Sequence, residues 1–237
     1  MADSRVDGAG APLRQRPDAL DTLQMTVQRT ALVAHHGPVG ARHGWLVLHG
    51  LDQRAAHFGR TWAVIPGHER RRVLAPEGLS RHIMNTKTDA TGACWTTVPD
   101  RPTDMRDTFK YLDQVVARLD AESGDGARVL VGFSQGSIIA ARWAAARDRV
   151  WDAVILWGGT IPQDVDARSL ATRSKSGCVE LVVGERDAYA TPVRRATMQE
   201  ALQAAGVNAR LRTFSGGHRL DDATLAEIAT SLEQRYG

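Results

Sequence analysis

The most constraining stretch of this chain is Gly132-Phe133-Ser134-Gln135-Gly136, set between the apolar run Arg128-Val129-Leu130-Val131 and a segment of helical character reaching about Ala146. A β-branched apolar run bounded by glycine reads as a buried strand. A strand that gives way to a helix across one serine leaves that serine on a sharp, strained turn at the end of the sheet, with its hydroxyl projecting. The flanking glycines have a steric reason, because neighbouring chain must pack close on both sides. The helix that follows aims its N-terminal dipole and free N–H groups at any negative charge developing there. This geometry belongs to an α/β architecture and makes Ser134 a candidate nucleophile.

The rest of the chain agrees with that architecture. Apolar runs bounded by Gly, Pro and Asp alternate with longer helix-period stretches, which predicts a mostly parallel central sheet with helices on both faces. Strands are expected at Gly44–Leu48, Arg72–Ala75, Arg128–Gly132, Ala153–Trp157, Val179–Val183 and Arg210–Phe214. Leading strands, with an antiparallel start, are expected around Gln24–Arg29 and Thr30–Ala34. Helices are expected within Arg54–Val64, Pro102–Asp120, Gln135–Ala146, Val193–Ala205 and Asp222–Gln234. The second of these carries Met105, Phe109, Leu112, Val116 and Leu119 at three- and four-residue spacing, a one-faced apolar stripe. Residues 76–99 read as a long irregular loop, whose movement as a lid stays open, in a fold with a minimal lid. Residues 1–20, rich in Ala, Gly, Pro, Asp and Arg, read as a flexible tail, and 21–237 as a single domain without internal repeat or linker.

With 237 residues, 43% of them apolar and 24% charged, the chain can bury a substantial core. The formal charge of +3 is small, and the basic run Arg70-Arg71-Arg72 has no nucleic-acid motif around it, so it is read as a solvated turn before a strand and no nucleic-acid partner is expected. No apolar h-region opens the sequence and no 18-residue apolar stretch occurs, so neither a signal peptide nor a membrane span is expected and a cytoplasmic location is. Cys94 and Cys178 lack metal spacing and are read as buried thiols; no metal site is expected. Oligomeric state stays open, with a homodimer among the alternatives.

A serine hydroxyl needs a histidine base and a carboxylate to orient it. In folds of this kind they follow the serine in the order acid, then histidine, each in a loop after a later strand. His218 is the one histidine of eight that lies after Ser134, in Ser215-Gly216-Gly217-His218 beyond a predicted strand. The acid comes from Gly184-Glu185-Arg186-Asp187, where Asp187 lies farther into the loop than Glu185 and is preferred. Asp164 and Asp166, beside Pro162, read as polar-turn residues. For the oxyanion, the backbone N–H of Gln135, next after the nucleophile, is one donor, and the loop after the early strand, Leu48-His49-Gly50-Leu51, supplies the other through Leu51 N–H. Gly50 permits close approach there, and His49 reads as structural. Trp95 in the long loop and Trp157 at a strand's C-terminal end are candidates to line an acyl pocket.

Taken together, Leu48-His49-Gly50-Leu51, Ala75-Pro76, the Gly132–Gly136 pentapeptide, Gly184 with Asp187, and Gly217-His218 resemble the phospholipase/carboxylesterase family of α/β-hydrolases. That family includes the acyl-protein thioesterases and small bacterial carboxylesterases. The resemblance spans nearly all of the chain after about residue 28. It implies an α/β-hydrolase fold, a triad of Ser134, Asp187 and His218, oxyanion donors at Leu51 and Gln135, and neither metal nor organic cofactor. In the family's thioesterases the oxyanion loop usually continues with Gly-Asp, whereas here Leu51 is followed by Asp52-Gln53-Arg54.

The function these residues predict is hydrolysis of a small-molecule carboxylic ester or thioester through an acyl-serine. Two alternatives share the sequence: an acyltransferase or cyclase that passes the acyl group to another nucleophile, and a binding protein on a retired hydrolase fold. Retention of serine, acid, histidine and elbow argues against the last.

Overall fold

The computed structural model describes residues 23–98, 101–175 and 178–237. Seven strands form one sheet: β1 (Val33–His36), β2 (His43–Leu48), β3 (Arg71–Pro76), β6 (Arg128–Phe133), β7 (Ala153–Trp157), β8 (Cys178–Gly184) and β9 (Asn208–Phe214). Two further strands, β4 (Ser80–Asn85) and β5 (Ala90–Cys94), pair only with each other. The sheet order is β1-β3-β2-β6-β7-β8-β9, with β1 antiparallel to β3 and every other pairing parallel.

Strands buried on both faces read as near-continuous apolar runs, as do Gly44–Leu48 of β2, Val129–Phe133 of β6 and all of β7. Their alternate side chains separate into two layers. Leu46, Leu48, Leu130, Val154 and Leu156 pack with helices α2 (Arg101–Glu122), α3 (Gln135–Ala145), α4 (Ala167–Thr172) and α5 (Pro192–Ala204) through Leu112, Leu119, Ile139, Trp143, Leu170 and Leu202. Trp45, Val47, Val129, Val131 and Ile155 face the opposite way, toward α1 (Ala55–Trp62) and α6 (Asp222–Tyr236), meeting Phe58, Trp62, Leu225, Ile228 and Leu232. On α2 the buried line runs through Thr108, Leu112, Val115 and Leu119, with Phe109 and Val116 flanking it; Met105 stays outside the fully buried set.

Chain order fixes where a site can form. From β2 the chain winds outward to β3, then returns past β2 to β6 and proceeds the other way to β9. The crevice at such a reversal lies beyond the carboxyl ends of the strands on its two sides, here β2 and β6.

Three sequence expectations are corrected. Residues 23–32 form no strand; β1 begins at Val33. Leu23, Met25 and Val27 alternate as in a strand but are all exposed, so the stretch buries no apolar face. Residues 76–99 are not irregular throughout, because 80–94 form the β4–β5 hairpin. The hairpin lacks clean alternation because most of it is exposed on both faces. Arg71 and Arg72 are not solvated: they open β3, buried, and their charges are met by Glu233 and Glu122. Residues 31–237 form one compact unit, and the expected 1–20 tail falls outside the described residues. Among the described residues no helix is long and apolar enough to cross a membrane.

Candidate active site

At the end of β6 the backbone of Ser134 takes φ 53° and ψ −118°, a region that costs a non-glycine residue about 1–3 kcal/mol. Its surroundings hold it there. Ser134 N–H donates to Trp157 O at the end of β7 (2.8 Å), and Ser137 Oγ donates to Ser134 O (2.7 Å). The two glycines of the pentapeptide serve close approach. A Cβ on Gly132 would lie 2.4 Å from Gly136 O, and one on Gly136 would lie 2.3 Å from Leu48 O. So β6 meets α3, and α3 meets β2, with bare backbone at both crossings.

Ser134 is the N-cap residue of α3, yet its hydroxyl makes no cap bond. It reaches His218 instead: Ser134 Oγ lies 2.8 Å from His218 Nε2, and His218 Nδ1 lies 2.8 Å from Asp187 Oδ2. The three residues come from the ends of β6, β8 and β9. Close approach again brings the loops together, since a Cβ on Gly184 would lie 2.4 Å from Gly217 O. Asp187 is nearly sealed, its side chain 1% exposed, and its Oδ1 accepts the N–H groups of Tyr189 (2.8 Å) and Ala190 (3.3 Å). Glu185, the alternative acid, is exposed and apart from this line. Asp164 pairs with Arg142, and Asp166 caps α4, as polar-turn residues do.

The loop expected to supply an oxyanion donor follows β2. Gly50 N–H is taken by Gln53 Oε1 (2.7 Å), Asp52 N–H by Ala93 O (3.0 Å) and Gln53 N–H by Gly50 O (3.3 Å). Leu51 N–H has no partner among the described residues. Gln135 opens α3, where backbone N–H groups have no intrahelical acceptor. Its side chain is engaged elsewhere, accepting Trp95 N–H at Oε1 (3.0 Å). The two predicted donors are thus both uncommitted backbone groups at the β2 and β6 ends.

His49 is fully buried, and its tautomer follows from its partners. Gly78 N–H donates to Nε2 (2.9 Å), so that nitrogen is bare, and the proton on Nδ1 goes to Gly50 O (2.7 Å). Burial pushes the His49 pKa down, outweighing the bond to Gly50 O and the charge of Glu77. Glu77 is itself buried; burial alone would raise its carboxyl, but Arg54, the Ala55 N–H and Arg81 together hold it below the usual glutamate range. Burial, with Asp104 and Asp52 nearby, pushes the Cys94 thiol up, so this cysteine is an inert core group. The side chain of Cys178 lies outside the described residues.

Trp95 and Trp157 do not line an open pocket. Their residues are 1% and 0% exposed, and each indole N–H is bonded to a backbone carbonyl, Trp95 to His49 O (2.8 Å) and Trp157 to Arg219 O (2.9 Å). They brace the oxyanion and histidine loops from beneath. A tryptophan at a strand end can face either the crevice or the layer below it, and sequence position does not separate the two.

Two neighbours of the site went unread in the sequence. Tyr189 stands edge-on to the His218 ring, centroids 4.8 Å apart, and is 67% exposed. Its signal was an aromatic two residues beyond the acid, in a loop with little else to bury it. Gly158 has φ +60°, and a Cβ there would lie 3.1 Å from His218 Cε1. The Gly158-Gly159 pair directly after β7 marked that clearance. Among the described residues no cluster of three or more His, Cys, Asp or Glu could hold a metal.

Comparison with known proteins matches this arrangement to a family. The phospholipase/carboxylesterase model fits residues 46–235, from within β2 to the last turn of α6. This chain belongs to that family. An acyl-protein thioesterase 2 of Zea mays, 18% identical, superposes with a TM-score of 0.66 over 88% of this chain and 100% of its own. The carboxylesterase of Bacillus cereus, 14% identical, gives 0.64 over 87% and 95%. The esterase PE8, 21% identical, gives 0.63 over 86% and 100%. At such identities the structural likeness shows the α/β-hydrolase fold, and the family match makes this member a hydrolase of phospholipase/carboxylesterase type. No curated protein matches the sequence.

Proposed function

We propose that this chain hydrolyses a carboxylic ester or thioester through an acyl-Ser134 intermediate. The observation that carries the reading is the unbroken line from Ser134 Oγ through both nitrogens of His218 to Asp187, each link 2.8 Å. Asp187 can only accept, so His218 carries its proton on Nδ1 and presents a bare Nε2 to the serine hydroxyl. As Oγ bonds to the acyl carbon, its proton passes to Nε2 and the carbonyl electrons move onto oxygen, where Gln135 N–H and Leu51 N–H would receive them. Collapse breaks the bond to the alcohol or thiol, which leaves with the proton from Nε2. Water then repeats the sequence on the acyl-enzyme, releasing the acid and restoring Ser134.

The test uses p-nitrophenyl acetate and butyrate. Ser134→Ala is expected to abolish p-nitrophenol release while the circular dichroism spectrum and melting temperature are retained. Turnover unchanged from wild type would overturn the proposal. A fluorophosphonate probe should label the wild type at Ser134, and free acid should remain the main product when an alcohol or amine acceptor is supplied; dominant transfer to the acceptor would reassign the enzyme as an acyltransferase.

A further inference from the structure

The loop Gly50-Leu51-Asp52-Gln53 departs from the family's thioesterase pattern, and its geometry explains how. Gln53 N–H donates to Gly50 O (3.3 Å), closing a four-residue turn whose third residue, Asp52, has φ +66°. Such turns ordinarily place glycine third, and Asp is among the few side chains that tolerate the left-handed region. Asp52 therefore occupies the position where the family usually carries glycine, and Gln53 that of the family's aspartate.

Gly50 lacks a Cβ, so the two peptide units on either side of its Cα can swivel freely unless something grips them. Both are gripped. In a trans peptide the carbonyl and the next N–H point in opposite directions. His49 Nδ1–H on Gly50 O (2.7 Å) therefore sets the plane that aims Leu51 N–H. The preceding unit is held through Gly50 N–H by Gln53 Oε1 (2.7 Å). Because Gln53 also reaches Gly50 O through its own N–H, it bonds to both units, a reciprocal pairing like that of a helix capping box. A Cβ at Gly50 would stand 3.1 Å from Gln53 Oε1 and 2.9 Å from Phe133 of the elbow, so this clamp packs directly against the nucleophile's strand end.

From this geometry we infer that Gln53 is a positioning residue for the oxyanion hole: its side-chain carbonyl fixes Gly50 so that Leu51 N–H stays aimed at the developing negative charge. The inference rests on the proposed acyl-serine chemistry. It assigns Gln53 no contact with substrate, so loss of the clamp should slow the chemical step and leave binding intact.

The experiment compares Gln53→Met, which keeps length but offers no comparable acceptor, with Gln53→Asn, which withdraws the acceptor by one methylene, and Gln53→Glu, which keeps an acceptor at the same reach. Since loss of a whole oxyanion donor costs about 100- to 1000-fold, a mis-aimed one should lower kcat on p-nitrophenyl butyrate roughly 10- to 100-fold in the Met and Asn variants. KM should change less than about threefold, a ratio worth under 1 kcal/mol. The rate of fluorophosphonate labelling at Ser134 should fall in parallel, and Gln53→Glu should recover most of both rates. Wild-type kcat in Gln53→Met, or in Gln53→Asn if the Met variant does not fold, overturns the inference. So does a loss of kcat that follows melting temperature and is not restored by Glu. Wild-type turnover in Ser134→Ala would instead overturn the acyl-serine reading itself, so the two failures are distinguishable.

Discussion

Asp187 divides its carboxylate between two tasks, and this makes a sharp prediction at the scale of one atom. Oδ1 is occupied by the N–H groups of Tyr189 and Ala190, and Oδ2 by His218 Nδ1. In Asp187→Asn the amide must keep its oxygen toward those two backbone donors, which turns its NH2 toward His218. Nδ1 then has to accept, the ring proton moves to Nε2, and the base can no longer take the proton of Ser134. The expected result is a loss of kcat on the order of 10³- to 10⁴-fold with the fold and KM retained, measured by ester hydrolysis and thermal melting. A drop below about tenfold would show that Asp187 does not set the tautomer. These residues were legible because chain order leaves one histidine after Ser134 and puts Asp187 deeper in its loop than Glu185. The placements of Trp95, Trp157, Tyr189 and Gln53 were not, since each depends on which way a side chain turns after the strand ends.

At the scale of elements, the oxyanion turn and the β4–β5 hairpin depend on each other. The hairpin, mostly exposed, is tied down by Arg81 to Glu77 (2.7 Å), by Thr91 to Arg54 (2.5 Å) and by His82 to Asp52 (2.7 Å). Two separated strands hold little structure on their own, which is why the segment reads in sequence as a loop. Substitution at Asp52 separates backbone strain from the exposed pair with His82. Asp52→Ala and Asp52→Gly both lose the pair and both must adopt φ +66°, but only Ala carries a Cβ that is strained there. The Ala variant should therefore be about 1–2 kcal/mol less stable than the Gly variant in urea denaturation. Equal stabilities would mean that the turn relaxes to another conformation. Glu77 gives the complementary pH test. Its folded-state carboxyl lies below the usual range, so its contribution to stability is full above the unfolded glutamate value of about 4.3 and disappears as pH falls through the lower folded value. Glu77→Gln cannot titrate. It should be on the order of 2 kcal/mol less stable than wild type at neutral pH, with the gap closing under acid; a gap independent of pH would assign the effect to shape instead.

Across the whole molecule, Ser134, Asp187, His218 and the Gly50–Gln53 turn gather at the carboxyl ends of the strands, while β3 enters from the opposite end with two buried arginines. Consecutive strand residues point to opposite faces, so Arg71 meets Glu233 of α6 (2.5 Å) in one helical layer and Arg72 meets Glu122 of α2 (2.7 Å) in the other. Arg72 also donates to Gly37 O (2.7 Å), and Arg118 adds a second ion pair to Glu122. The mostly parallel sheet and its two helical layers were legible from the alternation of apolar runs with helix-period stretches, but neither the strand order nor this pairing was. Three arginines before a strand look solvated until the partners, 50 and 162 residues away, are seen. Arg72→Met strips Glu122, whose side chain is 8% exposed, of one of its two cations, and Glu122→Leu leaves Arg72 buried without its carboxylate. Glu122→Leu should cost about 3 kcal/mol, because it leaves a buried charge without its carboxylate, and Arg72→Met should cost less, because Arg118 still pairs with Glu122. In Arg72→Met with Glu122→Leu the apolar pair fills the same space, and the double variant should lose clearly less than the sum, a coupling of at least about 1 kcal/mol in a urea double-mutant cycle. All three should keep the wild-type kcat per folded molecule, because the pair sits at the far end of the sheet from Ser134. Additive losses would show that the two charges are solvated independently, and a fall in kcat in the double variant would show that anchoring of the helical layers reaches the active-site end.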